Sequence, residues 1–447
     1  MARTSTASES QLWLPLPEGD ETRSGRPSAE RPVKREQMLE RVLQRDNLWR
    51  ALRRVASNGG SPGVDGMTVE ELPMYLKEQW PRIREALLDE TYQPAPVRRV
   101  EIPKPSGGKR KLGIPTAVDR FLQQALMQAL QEEWDPTFSE SSYGFRPGRN
   151  AHQAVGRAQE QIRAGYGWVV DLDLEKFFDR VNHDKRMSLI RERVEDRRVR
   201  KLIQEYLKAG VWEDGALHET TEGTPQGGPL SPLLANLLLD RLDRELERRG
   251  HRFVRYADDC NIYVRSERAG QRVLASVARY LERQLKLAVN AAKSAVDRPW
   301  RRQLLGFSFT TDRGKRRRIS DKAICGFKRR VRELTPRTCG VALARMVKDL
   351  RVFLLGWRGY YGYAEVRSVW EELDSWVRRR LRSYAWKQWG RRRYRELVRR
   401  GVSRDLAWNT RKSAHGPWRL SASPALSYPF PAGAFDALGL PRLHPSR

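Results

Sequence analysis

The chain has 447 residues, more than a single hydrophobic core usually holds, so two to four domains are expected. Its 85 Lys and Arg residues against 55 Asp and Glu residues give a formal net charge of +30, which indicates a polyanionic partner and favours nucleic acid. No 18-residue apolar run, secretory signal pattern or CxxC pair occurs, so we expect a cytoplasmic protein without a membrane span, a disulfide framework or a zinc site.

Composition and periodicity divide the N-terminal part of the chain. Residues 1–32 are rich in Ser, Glu, Pro and Gly without periodicity, which is typical of a disordered tail. One helix is predicted within 35–58, because apolar residues recur there at helical spacing before a Gly pair. Two β-rich runs within 97–115 are joined by a Gly-rich turn that carries Lys104 and Arg110, so a basic β-hairpin is predicted.

Two pairs of carboxylates follow. In the predicted strand of VVDLDLEKFFD, Asp171 and Asp173 are two residues apart and therefore lie on one face. Asp258 and Asp259 lie in RYADDC, between two short β-rich runs. Each pair alone has an ordinary explanation, because Asp commonly ends strands, caps helices and forms turns.

A Gly/Pro-rich loop, GTPQGGPLSP, separates the two acidic pairs in the sequence. Gly227 and Gly228 have no side chain that would block the close approach of a ligand, and Gln226 offers both a donor and an acceptor. Ser231 is predicted to cap a long helix that begins at Pro232. The loop alone is explained as a helix start, but the ordered series of basic hairpin, Asp strand, glycine loop and acidic hairpin is hard to obtain by accident.

The segment 311–420 is predicted to be a separate basic, helical module. It has 31 Lys and Arg residues against 10 Asp and Glu residues, so it carries an excess of 21 positive charges. Trp and Leu residues at helical spacing are explained by a packed bundle with a solvated Arg face. A face so rich in one charge repels itself unless an anion compensates, which favours binding to a phosphate backbone.

The ordered motifs resemble those of the reverse transcriptase and maturase proteins encoded by bacterial group II introns, particularly the compact class without an endonuclease domain. They cover roughly residues 34–420 and are SPGVDG (61–66), RRVEIPKPSGGKRKLGIPTAVDR (98–120), SSYGFRPGRNAHQA (141–154), VVDLDLEKFFDRVNHDK (169–185), TPQGGPLSPLLANLLLD (224–240), RYADDCNIYV (255–264) and LLGFSF (304–309).

The resemblance implies an α+β, right-hand polymerase fold followed by an α-helical thumb. The implied domains are a disordered tail (1–32), an N-terminal extension and fingers (33–165), a palm with an antiparallel sheet and the catalytic carboxylates (166–312), a basic thumb or maturase domain (313–405) and a short nucleic-acid-binding tail (406–447).

The implied activity is RNA-directed DNA polymerisation, combined with binding of a group II intron RNA to promote splicing and mobility. Matching by motif gives Asp173, Asp258 and Asp259 as the catalytic carboxylates, which with Leu174 would hold two Mg²⁺ ions or the substitute Mn²⁺. The implied partners are the intron RNA, an RNA template with a DNA primer, target DNA and deoxynucleoside triphosphates, at the bacterial nucleoid. The oligomeric state is left open.

The resemblance also implies nucleotide and RNA contacts. The nucleotide contacts are Lys104, Arg110, Gln226 and Phe178, the last an aromatic residue that excludes a ribose 2′-hydroxyl, with Phe177 as the alternative register. The RNA contacts are Arg316, Arg317, Arg318, Lys328, Arg329 and Arg330. Two other functions stay open: a reverse transcriptase adopted by the host for repair or defence, and a non-catalytic splicing factor, against which the intact carboxylate set counts.

Overall fold

A computed structural model describes residues 37–103, 108–175, 177, 181–218, 223 and 227–444. The chain divides into two compact units. The first unit comprises Met1–Ala154 and Tyr166–Asp297, and the second comprises Val155–Gly165 and Arg298–Arg447. Within the described ranges, no helix is both long enough and apolar enough to span a bilayer.

The helices account for most of the regular structure. In chain order they are α1 (Met38–Val42), α2 (Arg45–Asn58), α3 (Leu72–Leu88), α4 (Ala117–Trp134), α5 (Ala151–Arg163), α6 (His183–Arg193), α7 (Arg197–Lys208), α8 (Ser231–Arg248), α9 (Glu267–Tyr280), α10 (Asp321–Leu334), α11 (Leu343–Tyr361), α12 (Arg367–Trp389), α13 (Arg393–Arg399), α14 (Arg404–Lys412), α15 (Pro417–Leu420), α16 (Pro424–Ser427) and α17 (Ala432–Ala437).

Three sheets complete the mixed α+β fold. The strands are β1 (Val97–Pro103), β2 (Lys109–Ile114), β3 (Trp168–Leu172), β4 (Val211–Glu213), β5 (Ala216–His218), β6 (Arg252–Tyr256), β7 (Asp259–Val264), β8 (Ala295–Asp297), β9 (Phe307–Phe309) and β10 (Arg317–Ile319). The sheet orders are β2-β1-β4-β5, β6-β7-β3-β8 and β10-β9. Every pairing in the β6-β7-β3-β8 sheet is antiparallel, as the resemblance implies for a palm.

The predicted basic hairpin is confirmed, because β1 pairs with β2 in antiparallel register. The sheet also continues through β4 and β5, which the sequence analysis did not predict. β4 runs parallel to β1, and the pairing begins at Val97 opposite Val211. Glu213 in β4 contacts Lys111 at 3.1 Å and Arg99 at 3.4 Å, so two basic residues of the hairpin have a carboxylate partner.

The N-terminal helical region differs from the prediction of one continuous helix within 35–58. The structure has α1 and α2 instead, divided at Leu43–Gln44, where Gln44 has an extended ψ of 139°. The side chain of Asn47 donates hydrogen bonds to the carbonyls of Val42 (2.8 Å) and Ala125 (2.9 Å). These bonds satisfy a free carbonyl at the end of α1, so tertiary contacts stabilise a break that periodicity does not reveal.

The hydrophobic core of the first unit surrounds α4 and α8. Leu234, Leu238 and Leu242 of α8 are buried, as are its polar residues Asn236 and Asp243. The predicted start of this helix is wrong by one residue, because Leu230 occupies the N-cap and Ser231 is already helical. Pro232 then lies in the first turn, where its missing N–H costs no hydrogen bond.

The second unit is a helical assembly with an aromatic core. Phe327 of α10 contacts Trp357 of α11, which meets Trp370 of α12 edge to face at 5.3 Å. Further residues of this core come from the C-terminal segment 430–443: Phe430, Phe435, Leu440 and Leu443. The segment 406–447, predicted to be a short nucleic-acid-binding tail, therefore contributes buried apolar residues to the second unit.

The core around α8 generates a stability prediction. Leu238 is 0% exposed, so Leu238→Ala should lower the free energy of unfolding by about 2–5 kcal/mol, through lost apolar contact and a cavity. Chemical denaturation followed by circular dichroism would measure this change. The matched control is Leu217→Ala, at a side chain 55% exposed, which should change the stability by less than about 0.5 kcal/mol. Equal effects of the two substitutions would contradict the position of α8 in the core.

Candidate active site

The adjacent acids Asp258 and Asp259 lie at the tip of the β6–β7 hairpin. Tyr256 pairs with Asp259, which leaves Ala257 and Asp258 as a two-residue turn. Ala257 has a φ of 56°, in the left-handed region that L residues other than Gly, Asn and Asp seldom adopt. This backbone conformation reverses the chain and places Asp258 in the turn and Asp259 at the first position of β7.

Asp173 reaches the same edge of the sheet from the neighbouring strand. β3 pairs with β7, and Leu172 lies opposite Cys260. Asp173 directly follows β3 and therefore lies alongside Asp259, although the two residues are far apart in the sequence. Asp171 pairs with Asn261 one step further along the same two strands.

The backbone of Asp173 is fixed by the segment that precedes β8. Its N–H donates to the Ser294 hydroxyl at 2.9 Å, and its carbonyl accepts from the Asn290 N–H at 2.8 Å. The Lys293 ammonium lies 3.4 Å from both carboxylate oxygens of Asp173. The adjoining Leu174 is buried and forms a β-bridge with Val289.

Burial and mutual repulsion raise the pKa values of the two acids at the hairpin tip. Burial, followed by the charge of Asp173, raises the pKa of Asp258 above its ordinary value, while Arg110 and Lys293 oppose the rise. Burial raises the pKa of Asp259 to about 6, with further contributions from Asp258, Asp171 and Asp173. A cation at this edge would favour the ionised carboxylates and relieve the repulsion between them.

The chemistry of these donors fits a hard divalent cation such as Mg²⁺. This ion is commonly held by one or two carboxylates together with water and substrate phosphate oxygens. In the described ranges no group of three or more His, Cys, Asp or Glu side chains is placed so that it could hold a metal ion, so the predicted carboxylates are neighbours at this edge and not a formed metal site. An open edge of carboxylates is the arrangement that leaves coordination positions for substrate oxygens.

A groove of about 580 Å³ lies in the same unit as the acidic edge. Arg54, Arg120 and Arg146 line it, and no acidic side chain does so among the residues described there. Phe145 also lines the groove with its side chain 52% exposed, and its ring lies 6.5 Å from that of Tyr256. Because Phe145 has a φ of 58°, an exposed aromatic ring is held in a strained backbone conformation, which is typical of functional positions.

The predicted nucleotide contacts are only partly described. Arg110 lies in β2 opposite Ile102, and its charge acts on Asp258. Lys104, Phe178 and Gln226 lie outside the described residues. Phe177, the alternative aromatic gate, is 3% exposed and packs in the hydrophobic core of the first unit.

The predicted RNA contacts differ in how their charges are used. Arg317 is enclosed in the second unit, where it stacks on Tyr363 at 3.8 Å and donates to the side chain of Gln159. The others lie at more exposed positions, several with one carboxylate partner: Arg316 with Asp312, Arg318 with Asp321, Lys328 with Glu372 and Arg330 with Glu333. Arg317 therefore has a structural use that its place in a basic run did not indicate.

Three residues of this region were not predicted as functional from the sequence: Phe145, Lys293 and Arg255. Phe145 lies in a quoted motif, but its positive φ has no marker in the sequence. Lys293 has no charged neighbour in the sequence that marks it as functional, and tertiary contacts such as the pairing of Leu174 with Val289 bring its segment to the acids. Arg255 is adjacent to the acidic motif, and an Arg in so basic a chain reads as a surface residue.

Two family descriptions match the chain. Residues 102–309 match "Reverse transcriptase (RNA-dependent DNA polymerase)", and residues 324–401 match "Group II intron, maturase-specific domain". The first match contains β3, β6 and β7 with Asp171, Asp173, Asp258 and Asp259. The second lies within the basic, helical second unit.

Individual proteins are similar over parts of the chain. The protein YkfC of Escherichia coli (strain K12) is 38% identical over 220 residues, which are 48% of this chain and 58% of that protein. The group II intron-encoded protein LtrA of Lactococcus lactis subsp. cremoris is 37% identical over 204 residues, 45% of this chain and 34% of that protein. The chain thus spans between a third and three fifths of the length of these relatives.

Among solved structures, telomerase from Candida albicans in complex with a fragment of telomeric RNA is similar over 73% of this chain and 68% of that one. The sequence identity is 12% and the TM-score is 0.42.

Proposed function

We propose that the chain copies an RNA template into DNA and promotes splicing and mobility of an intron RNA. It carries a reverse transcriptase domain followed by a maturase-specific domain, and so belongs to the group II intron reverse transcriptase and maturase family. One observation carries the proposal: Asp173 and Asp259 lie alongside one another at the edge of an antiparallel sheet, next to Asp258 in the turn. RNA binding alone would give no reason for a group of neighbouring carboxylates.

In the proposed reaction, the primer 3′-oxygen attacks the α-phosphorus of a deoxynucleoside triphosphate, and pyrophosphate leaves. Asp173, Asp258 and Asp259, with Leu174, are the residues that would hold Mg²⁺, or Mn²⁺ in its place. The bound ions would favour deprotonation of the primer hydroxyl and neutralise the charge of the leaving group. Ser294 and Asn290 keep the backbone of Asp173 in place through the two hydrogen bonds already described.

The nucleotide side of the proposed site is basic. Arg110 and Lys293 both lower the pKa of Asp258, so their charges act at the acidic edge. We assign Arg110, with Lys104 and Gln226, to the incoming triphosphate. Phe178 is assigned to exclusion of the ribose 2′-hydroxyl, because Phe177 is enclosed in the core and has no free face for a sugar.

The groove that contains Phe145 is proposed to hold the RNA template next to the reacting nucleotide. Arg54 is exposed and suits a phosphate backbone, and the exposed ring suits the stacking of an unpaired base. The other two arginines of the groove are buried and donate to carbonyl and carboxylate oxygens inside the unit, so they form its wall. Gly227 contributes to the groove wall, and a Cβ there would lie 2.4 Å from the Gly113 carbonyl oxygen. The loop and β2 can therefore approach this closely only because residue 227 lacks a side chain.

The second unit is proposed to grip intron RNA and the template–primer duplex. Support comes from the excess of 21 positive charges in 311–420 and from the exposed positions of Arg316, Arg318 and Arg330. Arg317 is left out of the proposed contact surface because its guanidinium is used inside the unit. Action on target DNA by such a protein would occur in the bacterial cytoplasm, at the nucleoid.

A host-domesticated reverse transcriptase remains the second candidate, because it would need the same carboxylates and template groove. Splicing of a cognate intron RNA separates the two functions. A primer-extension assay run beside a splicing assay would find both activities for an intron-encoded enzyme, and extension alone for a domesticated one.

Removal of one proposed catalytic charge gives the first functional prediction. Asp258→Asn should lower the rate of Mg²⁺-dependent primer extension on an RNA template by on the order of 100-fold or more, because charge stabilisation in the transition state is lost. RNA affinity should not change. Asp214→Asn is the matched control, since Asp214 is exposed in the β4–β5 turn and its positive φ of 51° suits Asn equally well. Wild-type extension by Asp258→Asn protein would refute the assignment.

The template groove gives a second prediction. Phe145→Gly relieves the strain of a positive φ, so the melting temperature should be unchanged or higher. The affinity for an RNA template should fall, because the stacking of one base on an aromatic ring contributes about 1–3 kcal/mol. Fluorescence anisotropy with labelled template–primer would measure the affinity. Phe145→Tyr should retain it, and Tyr75→Ala, at an exposed aromatic residue on α3, is the control. Unchanged affinity of Phe145→Gly protein would exclude the stacking role.

The basic surface gives a third prediction. The logarithm of the RNA association constant should fall linearly with the logarithm of the salt concentration, because each phosphate contact releases counterions. The double substitution Arg329→Gln and Arg330→Gln should reduce that slope by about 1–2, and Arg248→Gln, at an exposed position of the first unit, should leave it unchanged. A slope that is identical in all three proteins would show that these arginines do not contact phosphate.

A further inference from the structure

Arg255 is a buried cation directly beneath the acidic turn. It is 0% exposed, and each of its three nitrogens donates to a neighbouring oxygen. Nε and Nη2 donate to the two carboxylate oxygens of Asp243 at 2.7 and 2.6 Å. Nη1 donates to the Asn236 side chain at 3.0 Å and to the Ala257 carbonyl at 2.9 Å, and Nη2 also donates to the Ser142 hydroxyl at 2.7 Å. These bonds use the full donor capacity of a guanidinium group.

The bond from Arg255 to the Ala257 carbonyl controls the peptide that joins Ala257 to Asp258. Rotation of that peptide would move the Asp258 carboxylate, because the turn contains only two residues. Ala257 is held in the left-handed region, which is unfavourable for an L residue because its Cβ comes close to the following carbonyl oxygen. Several surrounding contacts must therefore stabilise this conformation together if it is to persist.

A second segment of the chain packs against the turn from outside the hairpin. Residues 141–144 run beside β6: the Tyr143 N–H donates to the Arg255 carbonyl at 2.9 Å, and the Arg255 N–H donates to the Ser141 carbonyl at 2.9 Å. The Asn236 side chain donates to the Gly144 carbonyl at 2.8 Å. A Cβ at Gly144 would lie 2.3 Å from the backbone nitrogen of Ala257, so this segment and the turn are in backbone contact.

We propose that Arg255, with Asp243, Asn236 and Gly144, forms a positioning cluster that holds the catalytic turn in its left-handed conformation. The proposal rests on the proposed polymerase function. Arg255 touches no substrate in this role and acts through Asp258. Lys cannot replace it, because a single ammonium cannot form the bidentate bond to Asp243 and reach the turn carbonyl as well.

The same helix offers a matched comparison. Asp240 of α8 is 1% exposed and pairs with Arg193 at 3.0 Å and Arg244 at 2.9 Å. Both of these arginines also bond to Thr137, at the end of the α4 region. Asp240 thus anchors a buried charge cluster of similar burial and on the same helix as Asp243, but its described bonds do not reach the acidic turn.

The test compares Arg255→Lys, Gly144→Ala and Asp240→Asn in the full-length protein. Melting temperature, kcat, KM for a deoxynucleoside triphosphate and the Mg²⁺ concentration at half-maximal rate are measured with an RNA template and DNA primer. Arg255→Lys and Gly144→Ala should lower kcat on the order of 100-fold and raise the Mg²⁺ requirement, because a displacement of about 1 Å at a reacting centre has effects of this size. Asp240→Asn should lower the melting temperature and leave kcat unchanged.

Wild-type kcat in folded Arg255→Lys or Gly144→Ala protein would overturn the positioning role. An equal loss of kcat in Asp240→Asn protein would also overturn it, since general destabilisation would then explain the loss. If Arg255→Lys fails to fold, Gly144→Ala decides, because it leaves the buried ion pair intact. A wild-type protein that does not extend a primer would instead refute the proposed function, and the positioning role with it.

Discussion

The geometry of the acidic edge depends on the buried pair of Arg255 and Asp243. Burial of two charges has a large desolvation cost, so such a pair is weak evidence for stability in itself. Here the guanidinium also reaches Asn236 and the carbonyl of Ala257, and it thereby links α8 to the hairpin tip. The main effect of the pair is therefore on conformation: it selects one backbone conformation of the turn among those that a two-residue hairpin turn could adopt.

The acids at the turn and the cations around them explain why so basic a chain contains an acidic edge. Asp258 and Asp259 repel each other and Asp173, and burial strengthens that repulsion. Lys293 and Arg110 offset it only in part. In the proposed function, the surrounding positive field attracts polyanionic substrates while the acidic edge binds divalent cations, and the two requirements are met by different residues.

The sequence was sufficient for the basic β1–β2 hairpin, because strand alternation is a local pattern. The fold class and the meeting of Asp173 with Asp259 were implied by the resemblance that the ordered motifs carry. The sequence was insufficient where tertiary contacts decide. Asn47 stabilises the break between α1 and α2 through a carbonyl of α4, and the β4–β5 extension depends on pairing between distant residues. The role of Arg255 was equally inaccessible, since nothing in a basic run distinguishes a buried guanidinium from a solvated one.

The aromatic core of the second unit has a consequence for biosynthesis. Phe430, Phe435, Leu440 and Leu443 complete a core whose other members, such as Trp370, belong to helices that leave the ribosome earlier. Until residues 430–443 emerge, the apolar faces of α10 to α12 lack part of their cover, and such faces favour association with other chains. Completion of this unit thus waits for the synthesis of residues 430–443, and chaperones have a window in which to act on the nascent chain before that.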